Sequence, residues 1–199
     1  MSGGRVHGIV LAAGASSRMG RPKAGLRLGP DGPTFVQAVV DTLRAAGVPA
    51  VAVVAGAHPD AVRNALDPDP AVTVVEHPGW AAGQLSSLVA GLAAVDGPDL
   101  EAIVMTLVDV PLVRPETVRA LLHRWRADRP PIVRPAIGSR HGHPVVFDRA
   151  TFAALRTASL AVGAKAVIAA FATTLVDLPT GDAGVLRDFD TPEEYGALD

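Results

Sequence analysis

The residues best equipped for chemistry are gathered in one loop, Leu11-Ala-Ala-Gly-Ala-Ser-Ser-Arg-Met-Gly-Arg-Pro-Lys23. Its first half is small, and Ala12, Ala13, Gly14 and Ser16 let backbone N–H groups approach an anion closely. Its second half carries three cations, Arg18, Arg21 and Lys23. A polyphosphate needs both parts: amides to cradle its oxygens, and cations to neutralise it and its pyrophosphate leaving group. The simpler alternative is a glycine-shaped turn with solvated cations. Neither GxxxxGK[ST] nor GxGxxG is present, so this is no P-loop and no dinucleotide fingerprint, which disfavours a nicotinamide-dependent oxidoreductase.

Carboxylates far along the chain complement the loop. Asp109 ends the apolar run Ala102–Val108, where a carboxylate is costly without a partner. A hard cation is a suitable one, because Mg²⁺ commonly uses one or two carboxylates plus substrate phosphates. Asp109 could instead cap a helix beyond Pro111. In Asp188-Phe-Asp190 an extended chain turns Phe189 away and leaves both acids on one face. Asp190 is then either a second metal ligand or the N-cap of a helix opened by Thr191-Pro-Glu-Glu194. His141 and His143 are too few for zinc in a chain without cysteine. Ser86 and Ser87 can hydrogen-bond a ribose or an acceptor, or simply open a helix. No Ser-His-carboxylate arrangement is evident.

These groups must be positioned by elements the hydrophobic pattern predicts. Val6–Leu11, Val51–Ala55, Val72–Val75 and Ala102–Val108 read as strands. Helices are expected at Thr34–Ala46, Asp60–Leu66, Gln84–Val95 and Pro115–Ala127. Phe35, Val39, Leu43 and Ala46 share one helical face, and Gly47 is a natural stop. The strands are nearly continuous apolar runs, the signature of a parallel sheet covered on both faces. Beyond residue 130, Pro131–Val133, His143–Phe147 and Thr174–Leu178 are candidate strands, with helices near Arg149–Arg156 and Gly163–Phe171. The expectation is one α/β domain over residues 1–199: three layers, a mostly parallel sheet and an antiparallel insertion.

Composition bounds the partners. Of 199 residues 49% are apolar and 19% charged, which suits a globular core, and the net charge of −2 offers no basic stripe for nucleic acid. The N-terminal MSGGRVHGIVLAAG lacks signal-peptide architecture. No segment reaches the roughly 20 apolar residues of a membrane span. A soluble, cytoplasmic protein acting on small molecules is expected.

The motifs together resemble a known family, the MobA-like nucleotidyltransferases. LAAGASSRMGRPK is similar to its signature loop LAAGxSxRMGxxK. Gly79-Trp-Ala-Ala-Gly-Gln-Leu-Ser-Ser-Leu88 with Ala90-Gly-Leu92 resembles W-x-x-G-x-x-x-S-L-x-x-G-L, and Leu107-Val-Asp-Val-Pro111 the segment usually written GDxP. Arg140-His-Gly-His-Pro-Val-Val-Phe147 and Asp188-Phe-Asp-Thr-Pro-Glu-Glu194 resemble R-x-G-H-P-V-x-F and D-x-D-T-P-E-D. The resemblance implies a Rossmann-like nucleotidyltransferase fold and transfer of a nucleoside monophosphate from an NTP to a phosphorylated acceptor. It implies nucleotide binding by Leu11, Ala12, Ala13, Gly14, Ser16, Arg18, Lys23, Gly83 and Ser86, with Arg18, Lys23 and Asp109 catalytic. Mg²⁺ would sit on Asp109 and Asp190, and the acceptor near Arg140, Gly142 and His143. The Ala12-Ala13-Gly14 form of the loop is closer to cytidylyltransferases of molybdopterin than to guanylyltransferases, which favours CTP and molybdopterin. Two departures bear on this. Val108 replaces a glycine and is expected to narrow the space beside the metal. Leu160-Ala-Val-Gly-Ala-Lys165 lacks the acid and the arginine of the family's G-D-x-G-A-R, leaving open a sugar phosphate, another small metabolite, or a catalytically silent binding module.

Overall fold

A computed structural model describes residues 5–198; Met1–Gly4 of the N-terminal stretch, and Asp199, lie outside it. Its strands are β1 (Arg5–Ala12), β2 (Ala50–Ala55), β3 (Val72–Glu76), β4 (Leu100–Leu107), β5 (Ile132–Ile137), β6 (Arg140–His141), β7 (Val145–Asp148) and β8 (Val176–Pro179). They form one sheet in the order β3-β2-β1-β4-β7-β5-β6, with β8 beside β5. β1 pairs in parallel with both β2 and β4, and β2 with β3. β7 enters antiparallel between β4 and β5, while β8 runs parallel to β5. The expected antiparallel insertion is therefore β7, with the short β6 closing a hairpin on β5.

Helices cover both faces, as fully apolar strands require. On one side lie α1 (Phe35–Ala45) and α4 (Pro115–Asp128); on the other lie α3 (Gln84–Val95), α5 (Phe152–Thr157) and α6 (Ala164–Ala170). β1 serves both cores by simple alternation. Val6, Val10 and Ala12 meet Phe35, Val39, Leu43 and Leu121, whereas Ile9 and Leu11 meet Leu85, Leu88, Leu92 and Phe152. α3 lies unusually close to the sheet because Gly91 faces it: an added Cβ would stand 2.8 Å from Ile9 Cγ2 and Val54 Cγ2. α1 is capped by Thr34, whose hydroxyl accepts the Gln37 N–H.

α4 takes its cap from a distant residue. Arg114 occupies its N-cap position without a side-chain cap. The buried Asp182 carboxylate instead accepts the Arg114 N–H at 2.9 Å and the Thr117 hydroxyl at 2.7 Å. This ties the C-terminal segment to the turn after β4. Two short helices complete the fold, α2 (Pro59–Asn64) between β2 and β3, which buries Val62 in the core, and α7 (Pro192–Gly196) near the C-terminal end. Among the described residues no helix is long and apolar enough to cross a membrane.

Candidate active site

The strand order reverses direction between β1 and β4, and ligands of open α/β sheets bind beyond the carboxyl ends of strands at such a point. A cleft of about 440 Å³ opens there. Its floor is set by two backbone ties: Val108 N–H donates to Leu11 O at 3.1 Å, and Ala57 N–H to Ala13 O at 3.0 Å. These hold the ends of β4 and β2 against the end of β1.

The loop after β1 is a built structure. Ser16 has a left-handed backbone, with φ 53°, and its carbonyl accepts the N–H groups of Met19 and Gly20. Its hydroxyl accepts the Lys23 N–H at 3.2 Å. Met19 and Ala24 are buried and anchor the loop from below. Gly14 is required by neither φ nor packing, since a Cβ there would meet nothing within 4 Å. What it preserves is open cleft, where a side chain would fill space that a phosphate could use.

Leu11, Ala12, Ala13, Gly14, Ser16, Arg18, Lys23, Gly83, Asp109 and Asp190 all line this cleft. Lys23 stands at its centre: Nζ lies 2.7 Å from Asp109 Oδ2 and 2.5 Å from Asp190 Oδ1. Arg18 reaches Asp190 Oδ2 at 2.8 Å. Burial alone would lower the Lys23 pKa, but hydrogen bonds and charge from the two aspartates outweigh it, and the net shift is upward. The Lys23 hydrogen bond, aided by the Lys23 and Arg18 charges, holds the Asp190 carboxyl below its ordinary value against its own desolvation. The cleft also opens at the first turn of α3, which starts at Gln84 without a side-chain cap and so offers unsatisfied N–H groups.

Residues 8–182 match the MobA-like NTP transferase domain. The chain belongs to that family. It is therefore a transferase of the nucleotidyltransferase type. Rv0371c of Mycobacterium tuberculosis H37Rv is 32% identical, with a TM-score of 0.81 over 100% of this chain and 98% of that one. A complex of Rv0371c with manganese superimposes at 0.72 with 29% identity, covering 99% and 98%. A nucleotidyl transferase from Methanothermobacter thermautotroptrophicus shares the fold, with a TM-score of 0.76 at 22% identity over 97% and 95%. No curated protein matches the chain.

Several expectations for this MobA-like chain change once the side chains are placed. Asp190 is not an N-cap. Thr191 caps α7, accepting the Glu194 N–H, while Glu194 Oε2 accepts the N–H groups of Asp190 and Thr191. That box leaves the Asp190 carboxylate for the cleft. Asp109 caps no helix either, since α4 begins six residues later. Asp188 is exposed and Phe189 buried; Phe189 donates its N–H to Asp109 O and stacks on Phe35 at 5.4 Å. Arg21 leaves the cationic cluster and lies over the Tyr195 ring. Ser86 does not line the cleft; its hydroxyl bonds His77 and Gly83 O, and Ser87 lines it instead. Val108 is only 8% exposed and packs with the α1–α4 core, and it also lines the cleft beside Asp109.

The proposed acceptor residues lie apart from the cleft lining. Arg140 is exposed on the β5–β6 hairpin. Gly142 has a packing reason, because a Cβ there would fall 2.0 Å from Val185 O. His143 donates its N–H to Val185 O, and its Nδ1 is buried without a partner. Burial lowers its pKa, opposed by the charges of Asp109 and Asp188. His141 instead pairs with Asp177, so the two histidines do not converge.

His58, whose Nε2 meets Ala15 O at 3.2 Å, Trp80 and Gln84 also line the cleft without having been expected there, and Ser87, expected together with Ser86, does so as well. Trp80 was within reach, since it occupies a fixed letter of the quoted W-x-x-G-x-x-x-S motif. His58 carried no local signal.

A divalent cation can be tested against the donors present. Asp109 Oδ1 is buried without a hydrogen-bond partner, a costly state that coordination would relieve. Among the described residues no group of three His, Asp or Glu converges into a metal cage. Two carboxylates completed by substrate phosphates is the donor set that suits Mg²⁺ or Mn²⁺. The residues fit.

Proposed function

We propose that this chain transfers a nucleoside monophosphate from CTP to molybdopterin, or to a closely related phosphorylated acceptor, with Mg²⁺ and release of pyrophosphate. The observation that carries this reading is the pairing of Asp109, with its orphaned Oδ1, and Asp190 across Lys23 in a cleft floored by open backbone at Gly14. An oxygen of the acceptor phosphate attacks the α-phosphorus; the new P–O bond forms as the α–β bridging bond breaks, and the electron pair leaves with pyrophosphate. Such a reaction needs positioning and charge neutralisation rather than a protein nucleophile. Backbone groups around Gly14 and the first turn of α3 hold the nucleotide. Arg18 and Lys23 neutralise charge growing on the α-phosphate and pyrophosphate. Mg²⁺ held by Asp109 and Asp190 supplies further neutralisation of phosphate oxygens.

The preference for CTP rests on Ala12-Ala13-Gly14, and the acceptor is placed toward Arg140, Gly142 and His143. One observation favours a second acceptor class. Leu160–Lys165 lacks the acid and the arginine of the corresponding family segment, so that part of the acceptor recognition is changed. A sugar phosphate or other small phosphorylated metabolite is the alternative. The enzyme is read as one cytoplasmic domain over residues 1–199. Pyrophosphate release measured with each of the four NTPs, against molybdopterin and a panel of phosphorylated acceptors, tests the reading. Turnover is expected with CTP and molybdopterin. Nucleotide binding without turnover on any acceptor contradicts it.

A further inference from the structure

The four carboxylate oxygens at the centre of the site are almost fully engaged by the protein's own cations. Lys23 holds Asp109 Oδ2 and Asp190 Oδ1, Arg18 holds Asp190 Oδ2, and only Asp109 Oδ1 lacks a partner. A divalent cation bridging the two aspartates must lie about 2.1 Å from an oxygen of each. Both oxygens of Asp190 are already bonded to a cation, Oδ1 to Lys23 and Oδ2 to Arg18, so an ion that bridges to Asp109 must take the place of one of those two groups on Asp190. The Lys23 side chain is 12% exposed, against 71% for Arg18, so Lys23 is the ion seated between the acids and Arg18 only caps one from outside.

We propose that Lys23 is an internal stand-in for the metal, and that the metal and Lys23 occupy the Asp109–Asp190 pair in alternation. This rests on the reading of those two aspartates as metal ligands. With the site empty of metal, the ammonium keeps two close carboxylates from repelling one another. When a divalent ion enters, the side chain swings into the cleft it already lines. Its backbone does not follow, because its N–H is fixed to the Ser16 hydroxyl and the adjoining Ala24 is buried. A bound triphosphate gives the displaced ammonium a new partner, so nucleotide and metal each ease the other's binding. Lys23 is thus a positioning residue before it neutralises charge.

Mn²⁺ binding to the nucleotide-free protein, followed by electron paramagnetic resonance, reads this directly. Lys23→Met is expected to bind Mn²⁺ at least about tenfold more tightly than the wild type. Arg18→Met, which removes the same charge without vacating the seat, should gain much less. Equal or weaker binding by Lys23→Met, or an equal gain in both variants, overturns the proposal. A second measurement needs no variant. The chain has two lysines, Lys23 and Lys165, and Lys165 is exposed. Acylation mapped by mass spectrometry should show Lys23 becoming several-fold more reactive relative to Lys165 as Mn²⁺ is added. Unchanged or lower Lys23 reactivity at saturating Mn²⁺ overturns the proposal even if Lys23→Met does not fold. If Mn²⁺ binds with undiminished affinity to Asp109→Asn, the metal reading itself fails instead.

Discussion

Two glycines of the motifs show how differently one residue type can be used. Gly14 faces open cleft, whereas Gly142 is pressed against the Val185 carbonyl. Gly14→Ala is therefore expected to leave stability within about 0.5 kcal/mol of wild type while weakening nucleotide binding about tenfold or more, the scale of one charged hydrogen bond. Gly142→Ala should do the reverse, costing about 1–3 kcal/mol through overpacking. Thermal unfolding and nucleotide titration of the two variants separate these roles, and a Gly14→Ala protein that binds nucleotide normally contradicts the cradle. The same contrast shows where the sequence was legible. The small residues and cations of Leu11–Lys23 announced a polyphosphate loop by type and spacing. That Arg21 turns to Tyr195 depends on side-chain direction, which the order of residues does not encode.

At the scale of elements, the site depends on α7, a helix of five residues. Its capping box absorbs the backbone N–H groups of Asp190 and Thr191, and so leaves the Asp190 carboxylate facing Lys23. Thr191→Ala is expected to cost about 1 kcal/mol and to weaken metal binding, with Thr191→Ser restoring both; chemical unfolding and Mn²⁺ titration check this. An intact metal affinity in Thr191→Ala would mean that Asp190 is held by other contacts. The first four strands and α1, α3 and α4 follow the apolar periodicity to within two residues, because β1, β2 and β4 bury most of their residues and each helix buries one apolar face, with only β3 at the edge less covered. The C-terminal third is less legible. β6, the Asp182 cap of α4 and the docking of Gly142 on Val185 are long-range arrangements of short segments with little periodicity of their own.

Over the whole molecule, the chain joins its halves through charge at the cleft: Lys23 from the first strand's loop, Asp109 from the middle strand and Asp190 from the C-terminal segment. Without metal, this makes stability depend on pH at both extremes. Asp190, its pKa depressed in the fold, contributes above the unfolded carboxylate value and loses that contribution as pH falls through its folded one. Lys23, its pKa raised, contributes below the unfolded lysine value and loses it as pH rises through its folded one. Urea unfolding in EDTA should therefore show both limbs in the wild type, and Lys23→Met should flatten both; unchanged slopes would mean that the cluster adds little to the fold. The central claim is metal-assisted nucleotidyl transfer at Asp109, and Asp109→Ala tests it most directly. Pyrophosphate release, titrated with Mg²⁺ at saturating CTP and acceptor, is expected to fall by about 10²-fold or more with melting behaviour that shows a folded protein. Undiminished Mg²⁺-dependent release from that variant would contradict the account.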